Sequence, residues 1–208
     1  MGAMDSIYPS VYRLQHSAGS NGYAILDGDR VAIVDPGLAS GRGALLRELR
    51  EAGLLARVTD VLVTHSDPDH VGAAPAVQAA TGARVWMGRA DAEVLEGARR
   101  PATRFRRLLA RRPAPFPGGL ELLAGGEEPF PGVTALGTPG HTPGHMAFLF
   151  GDVVFAGDAV RGSDRGLRLM PRFLTSDQDQ AKASLELIAG AGRRWLCPGH
   201  GAVRELHA

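Results

Sequence analysis

The sequence predicts a mixed α/β fold, and two features of the chain support that prediction. Short β-branched runs such as "VTDVLVTH" and "VVFAGD" alternate with stretches whose apolar residues recur at helical spacing. Both halves of the chain place strands before helices, a layout that is typical of a pseudo-symmetric β-sandwich. With 208 residues, 44% hydrophobic and 22% charged, the composition is ordinary for a globular protein. We expect one domain over residues 1–208.

In the first half, the β-rich runs "SVYRLQH" and "NGYAILDGDRVAIVDPG" predict strands, with a hairpin turn at "DGD". The stretch "SGRGALLRELREAGL" predicts a helix with Ser40 as its N-cap and Gly53 as its stop. A β-loop-α-β unit follows, made of the strand "VTDVLVTH", the helix "GAAPAVQAATG" ending at Gly82, and the strand "ARVWM". A cluster of histidine and aspartate lies at the carboxyl end of its first strand, where open sheets place ligand sites.

In the second half, residues 89–118 form an Arg-rich insertion that predicts one or two helices broken by Pro101, followed by a Pro/Gly loop. Strands resume at "LELLAGGEEPFPGVTALGTPG", and a second hairpin is predicted around Gly151. A helix capped by Ser176 comes next, and "RRWLCPGHG" supplies the last short strand and its loop. The insertion therefore lies between the strands of the two halves.

The net charge, the cysteine content and the lack of long apolar runs indicate which partners and which cellular compartment to expect. The formal net charge is +1, which gives no reason to expect nucleic acid or a membrane surface as a partner. Cys197 is the single cysteine, so no internal disulfide can form and a reducing compartment fits. The first residues show no apolar signal segment, and no run approaches about 18 apolar residues. We therefore expect a cytoplasmic protein, with a homodimer as the default assembly.

Four separate segments end a strand with residues that can bind a metal ion. They are "VLVTHSDPDH", "ALGTPGHTPGH", "VVFAGDAV" and "WLCPGHG". Imidazole nitrogen and carboxylate oxygen are the usual protein ligands for zinc, iron and manganese. One such segment is weak evidence and fits an ordinary polar turn, but four in one chain indicate a metal centre assembled from distant parts of the sequence.

These motifs resemble those of the metallo-β-lactamase-fold superfamily, most closely its glyoxalase II-like hydrolases. The family pattern His-x-His-x-Asp-His is matched at residues 65–70, with aspartate in place of the second histidine. The later motifs match in order at His141, Asp158 and His200, and "VDPG" at 34–37 matches the strand end that supports the site. The resemblance implies a four-layer αββα sandwich with a two-metal centre at one edge.

The resemblance also implies a role for each matching residue. One metal would be held by His65, Asp67 and His141, the other by Asp69, His70 and His200, with Asp158 bridging them. Two divalent ions are expected, zinc first. A hydroxide between the metals would attack an ester, thioester or lactone carbonyl of a small molecule, and Asp69 would orient it as the catalytic carboxylate. Asp35 and His145 would support the ligands from behind.

Asp67 departs from the family pattern. Asp67, Asp69 and Asp158 place three carboxylates where the usual pattern has two, so a pair of divalent ions keeps less positive charge. Oxygen ligands shift the preference toward iron or manganese, and the flavodiiron relatives carry a carboxylate at this position. A short side chain that misses the metal would instead leave one ion. A mononuclear iron oxidoreductase of the persulfide-dioxygenase type and a non-catalytic metal-binding module therefore remain alternatives.

Arginines are the remaining candidates for substrate binding. Residues 99–112 hold seven of them: Arg99, Arg100, Arg104, Arg106, Arg107, Arg111 and Arg112. A solvated helix face is the simpler interpretation, and a cap that attracts an anionic substrate is the alternative. The segment after Asp158 adds three weaker candidates near the substrate, which are Arg161, Arg168 and Arg172.

Three further residues are not expected to take part in the site. His16 and His207 are expected in ordinary packing or surface positions. Cys197 precedes His200 at a strand end, where we interpret it as a small buried apolar side chain and not as a ligand.

Overall fold

The structure is a computed structural model that describes residues 4–101, 103, 106–107, 115–163 and 166–206. In chain order its strands are β1 (Asp5–Tyr8), β2 (Val11–Arg13), β3 (Tyr23–Asp27), β4 (Arg30–Val34), β5 (Val58–Val63), β6 (Arg84–Gly88), β7 (Glu121–Leu123), β8 (Val133–Gly137), β9 (Met146–Phe150), β10 (Val153–Gly157), β11 (Arg161–Ser163), β12 (Gly166–Arg168), β13 (Trp195–Pro198) and β14 (Arg204–Glu205). Its α-helices are α1 (Arg42–Glu51), α2 (Pro68–Val71), α3 (Ala74–Thr81), α4 (Arg89–Glu96) and α5 (Gln178–Gly190). The predicted mixture of strands and helices is therefore observed.

A seven-stranded sheet carries its strands in chain order, from β1 to β7. The first four strands pair antiparallel, and β3 and β4 form the predicted hairpin, with Asp27 opposite Arg30. The next strand, β5, runs parallel to β4. Val61, Leu62 and Val63 at the end of β5 are fully buried, so the loop that follows starts from a firmly packed point.

The helices of the first half begin and end for identifiable reasons. The amphipathic helix α1 buries Leu45 and Leu49, and Gly53, at φ 73°, ends it as predicted. Gly82, at φ 72°, likewise ends α3. The prediction of Ser40 as the N-cap of α1 is wrong, because the N-cap is Gly41 and Ser40 lies one residue earlier, inside a 3-10 turn.

A five-stranded sheet has the order β14-β13-β10-β9-β8. The hairpin of β9 and β10 turns at Gly151, as predicted, and β10 runs parallel to β13. The N-cap of α5 is Asp177, whose carboxylate accepts the N–H groups of Asp179 and Gln180. The prediction of Ser176 as the cap is wrong, because the hydroxyl of Ser176 donates instead to the carbonyl of His141, 2.9 Å away.

The chain divides into two compact units. The first comprises residues 1–63, 67–86 and 112–121, and the second comprises 64–66, 87–111 and 122–208. Whether the chain forms the predicted single domain stays a prediction. None of the helices in the described part of the chain is long and apolar enough to cross a membrane.

The Arg-rich insertion is described only in part. Its helix α4 ends at Glu96, with Gly97 at φ 82° as the C-cap, so the helix stops before Pro101, the predicted break. The other described residues of the insertion are 97–101, 103, 106–107 and 115–118. The rest of the predicted helical insertion lies outside the described residues.

Candidate metal centre

In the first unit, the loop after β4 orients one predicted ligand. Asp35 has a positive φ of 48°, an unusual backbone conformation for a residue other than glycine. Its Oδ2 lies 2.8 Å from Nδ1 of His70, and both side chains are buried. Since the carboxylate accepts from Nδ1, the ring carries its lone pair on Nε2. The backbone N–H of Gly37 donates to the carbonyl of His70, which also ties α2 to this loop.

Asp67 and Asp69 lie at the start of α2, also in the first unit. Asp67 is the N-cap, with extended backbone, and its side chain makes no capping bond. The carbonyl of Asp69 accepts the hydroxyl of Ser20 at 2.6 Å, and its Oδ2 lies 3.7 Å from Nε2 of His70. A Cβ on Gly19 would lie 2.9 Å from the Cβ of Asp69, so only glycine allows this approach. Metal binding by Asp67 and catalysis by Asp69 stay predictions.

In the second unit, three strand ends bring His65, His141 and Asp158 together. Each offers a ligand atom within 4.8 Å of the others, and all three residues are buried. His65 follows β5, His141 follows β8 and Asp158 follows β10 directly. The rings of His65 and His141 meet edge to face with their centroids 4.8 Å apart. Residues that follow three different strands thus converge at one point.

The Asp158 carboxylate also lies beside a third histidine of the second unit. Its Oδ2 is 3.5 Å from Nε2 of His141 and 3.4 Å from Nε2 of His200. His200 reaches this position because β10 and β13 are parallel neighbours, and the N–H of Gly199 donates to the carbonyl of Gly157 at 2.7 Å. One carboxylate oxygen therefore faces two imidazoles that the family resemblance assigns to different metals.

His145 uses both ring nitrogens to hold this arrangement in place. Its Nε2 accepts the backbone N–H of Asp158 at 3.2 Å, so the neutral ring carries its proton on Nδ1, 2.8 Å from the hydroxyl of Thr138. The ring also stacks on His65, with centroids 5.1 Å apart. A Cβ on Gly157 would lie 2.8 Å from Nε2 of His145, so glycine is required before Asp158.

Asp91, which no sequence motif singled out, links two of the ligand loops. Its Oδ2 accepts the N–H of Ser66 at 2.8 Å, and its Oδ1 accepts the N–H of Gly144 at 2.7 Å. The side chain is fully buried in the first turn of α4. An acidic residue in a first helical turn is usually exposed and interacts with the helix dipole, so its sequence position carried no signal.

The arginine run is divided between solvent and the candidate site. Arg99, Arg100 and Arg107 are exposed, as a solvated face requires. Arg106 is buried at 8% exposure, and its Nη2 lies 2.7 Å from Nε2 of His141. Its Nη1 lies 3.4 Å from the hydroxyl of Ser176. The other three, Arg104, Arg111 and Arg112, lie outside the described residues. The solvated-face interpretation therefore fails for Arg106.

The remaining predicted residues have simpler surroundings. Arg161 and Arg168 stand opposite each other on the β11–β12 hairpin, and they are exposed, as is Arg172. Their contact with substrate stays a prediction. Cys197 is fully buried in β13, as expected, and His16 is exposed beside Glu48. His207 lies outside the described residues.

The donor set at His65, His141 and Asp158 fits a divalent transition metal. Two imidazoles and a carboxylate suit zinc, iron or manganese, whereas an all-oxygen set would favour magnesium or calcium. All three side chains are buried and held by the neighbours described above, which limits the rearrangement that binding requires.

Comparisons with known proteins find similarity over most of the chain. The model of the metallo-beta-lactamase superfamily matches residues 18–200. The hydroxyacylglutathione hydrolase of Fuscovulum blasticum is 32% identical and aligns with 83% of this chain, which spans only 62% of that relative's length. The uncharacterized protein YobT of Bacillus subtilis is 28% identical, with 87% of this chain and 82% of YobT aligned.

Two solved structures are similar over most of the chain. TTHA1623, crystallised in a di-iron-bound form, has a TM-score of 0.73 and 27% identity, covering 98% of this chain and 94% of its own. The metallo-beta-lactamase family protein TTHA1429 from Thermus thermophilus has a TM-score of 0.74 and 25% identity, covering 96% of this chain and 76% of its own.

Proposed function

We propose, from the premise that this chain belongs to the metallo-β-lactamase superfamily, that it is a metal-dependent hydrolase acting on an ester, thioester or lactone bond of a small molecule. The predicted family is confirmed, since the family model matches most of the chain. The predicted fold is confirmed as well, since solved structures of this family are similar to the chain over most of its length. The hydroxyacylglutathione hydrolases among its relatives support hydrolytic chemistry.

The observation that carries the proposal is the convergence of His65, His141 and Asp158, with one carboxylate oxygen also beside His200. A bound pair of divalent ions would acidify a water molecule and polarise the carbonyl that is attacked. Neighbouring side chains hold the metal-binding residues in position. His145 anchors the backbone of Asp158. Within the first unit, Asp35 selects the tautomer of His70.

The second ligand set and the catalytic group follow from the family resemblance. Asp69, His70 and His200 would hold the second ion, and Asp158 would bridge the pair. Asp69 would orient the attacking hydroxide, and its carboxylate is partly exposed, at 30% of the side chain.

Zinc remains our first choice of metal, and iron is the specific alternative. TTHA1623, a relative of similar length, was crystallised with two irons, and Asp67 adds a hard anionic oxygen to this chain's set. A redox function, of the persulfide-dioxygenase type, would follow from iron more naturally than from zinc, because zinc has no accessible second oxidation state.

Elemental mass spectrometry tests the metal directly. Wild-type protein and Asp67→His are purified without a chelating column or added metal, and the metals bound per chain are counted. About two zinc ions per chain support the dinuclear hydrolase. About one iron per chain would overturn it in favour of the oxidoreductase. Two irons or two manganese ions would keep the dinuclear site and identify Asp67 as the residue that selects the metal.

A substrate panel then tests the reaction. Metal-loaded protein is assayed on matched esters, thioesters and lactones, and separately for oxygen consumption with glutathione persulfide. We expect hydrolysis in the panel and its loss in Asp158→Ala. Oxygen consumption without hydrolysis would move the assignment to the oxidoreductase. Metal binding without either activity would leave a binding module.

The cellular setting is part of the proposal. The single buried cysteine supports a reducing compartment, and we place the protein in the cytoplasm. A small, anionic molecule is the proposed substrate, a homodimer the proposed assembly, and neither nucleic acid nor a membrane the proposed partner.

A further inference from the structure

Arg106 is a buried cation in direct contact with a predicted metal ligand. Its guanidinium Nη2 lies 2.7 Å from Nε2 of His141, and its Nη1 lies 3.4 Å from the hydroxyl of Ser176. The hydroxyl of Ser176 in turn donates to the carbonyl of His141, so the three residues are linked. An arginine is always protonated and can only donate hydrogen bonds, so Nε2 of His141 must be the acceptor.

The same lone pair is needed for a metal. Nε2 of His141 faces Oδ2 of Asp158 at 3.5 Å, so it is the ring nitrogen that points at the candidate centre. A nitrogen has one lone pair in the ring plane, and it cannot serve an N–H donor and a metal ion together. Metal binding must therefore move the guanidinium of Arg106 away from His141.

A displaced guanidinium beside a cationic centre is repelled by it. The repulsion is strong in a buried site, where the dielectric constant is low. An anionic group that bridges the guanidinium and the metals relieves it. The planar fork of arginine matches a carboxylate or phosphate, with two parallel hydrogen bonds.

We propose that Arg106 is the anion-binding residue of this centre, held by His141 until a metal takes the Nε2 lone pair and then turned toward a carboxylate or phosphate of the substrate. That the anion belongs to a substrate rests on the proposed function, but both parts of the inference are measurable without turnover. The inference narrows the substrate class to anionic esters, thioesters or lactones.

The first part is tested by metal affinity. Metal-stripped wild type, Arg106→Met and Arg107→Met are titrated with zinc against a fluorescent chelator. Arg107 is the matched control, because it is the exposed neighbour and donates to the carbonyl of Pro101. Arg106→Met should bind zinc about tenfold more tightly, because a charged hydrogen bond no longer competes. Equal or weaker binding by Arg106→Met would overturn the competition. Arg106→Gln replaces it if circular dichroism shows that Arg106→Met is unfolded.

The second part uses two thiols that differ in charge. Protein loaded with the metal found by elemental analysis is titrated with 3-mercaptopropionate and with 3-mercapto-1-propanol, both of which present a thiol but only one a carboxylate. The wild type should prefer the carboxylate by about tenfold, and Arg106→Met should lose most of that preference while Arg107→Met keeps it. An unchanged preference in Arg106→Met would show that the residue does not bind the anion.

The two failures can be told apart. If no ester, thioester or lactone is cleaved but Arg106→Met changes both titrations, the proposed hydrolase is wrong and the role of Arg106 stands. If esters are cleaved and the titrations do not change, the hydrolase stands and the role of Arg106 is wrong.

Discussion

At the scale of single residues, hydrogen bonds assign the tautomer of two supporting histidines, His70 in the first unit and His145 in the second. His145 is the clearest case, because the N–H of Asp158 occupies its Nε2 and leaves the proton on Nδ1, beside Thr138. A ring with both nitrogens engaged does not ligate a metal. It acts on the site by holding the backbone of Asp158, whose carboxylate lies in the centre. Supporting residues tune metal affinity in this way.

Replacing His145 should therefore weaken the metal site without unfolding the protein. We expect His145→Ala to lower metal affinity by about 10–100-fold, because the backbone of Asp158 loses its acceptor. Titration against a chelator measures the change, with His16→Ala as the control, since that histidine is exposed beside Glu48. An affinity in His145→Ala equal to that of His16→Ala would contradict the role.

At the scale of elements, helix α4 acts as a clamp between two ligand loops. The Asp91 carboxylate accepts one N–H next to His65 and one next to His145, and these loops follow different strands. Charge-assisted bonds from a buried carboxylate to backbone N–H groups are stronger than neutral ones. The clamp thus connects the packing of a helix to the spacing of the ligands.

The substitution Asp91→Asn tests the clamp. An amide offers one oxygen and an N–H₂ group that opposes the second backbone donor, so unfolding by urea should show a loss of about 1–3 kcal/mol, with weaker metal binding. Asp60→Asn is the matched control, because Asp60 is also fully buried but binds Arg30, Arg84 and Trp86 in the first unit. If both variants lower metal affinity equally, the effect of Asp91 is general destabilisation.

The turn after β10 makes a second prediction at this scale. Gly157 has φ 48°, and a Cβ there would lie 2.6 Å from the hydroxyl of Thr64. Gly157→Ala should cost about 1–3 kcal/mol of unfolding free energy through backbone strain alone. Gly190→Ala is the control at the end of α5, where nothing lies within 4 Å, and it should stabilise by about 0.5–1 kcal/mol. Similar urea midpoints for the two variants would refute the strain.

At the scale of the whole molecule, the candidate centre is built from residues that are distant in the sequence but belong to the same compact unit. Residues 64–66 belong to the second unit, although the segments on both sides of them belong to the first. His65 is thereby grouped with His141, Asp158 and His200, which come from three later strand ends. A metal bound there binds only the folded arrangement, so its binding energy becomes folding energy.

Removal of the metal should accordingly lower the melting temperature. With free metal at about 100 times the dissociation constant, linkage adds about 2.7 kcal/mol. At about 2–4 °C per kcal/mol for a chain of this size, the shift is about 5–11 °C. Differential scanning calorimetry with and without a chelator measures it, and Asp158→Ala should respond much less. Identical melting curves for the stripped and loaded wild type would show that no metal stabilises the fold.

Local sequence signals predicted the helix ends correctly where the backbone conformation requires one residue type. Gly82 and Gly53 follow their helices with positive φ, as predicted, because a left-handed residue is required there. Helix caps were less predictable. Ser40 and Ser176 both fit a capping pattern. Ser40 lies inside a 3-10 turn, and the hydroxyl of Ser176 donates to the carbonyl of His141. At Ser176 a tertiary contact therefore overrides a capping preference of about 1 kcal/mol, whereas at Ser40 the local turn does.

The order of residues along the chain sufficed for the family and the fold class, because each motif is a short strand end whose residue types can be read locally. The structure brings three of the candidate ligands together, His65, His141 and Asp158, and metal binding by the whole set stays a prediction. Two features emerged only in the folded chain: Arg106 is buried, unlike Arg99, Arg100 and Arg107 in the described part of the same run, and Asp91 joins two ligand loops. Both depend on contacts with residues distant in the sequence, and burial of a charged group is decided by those partners and not by its sequence neighbours.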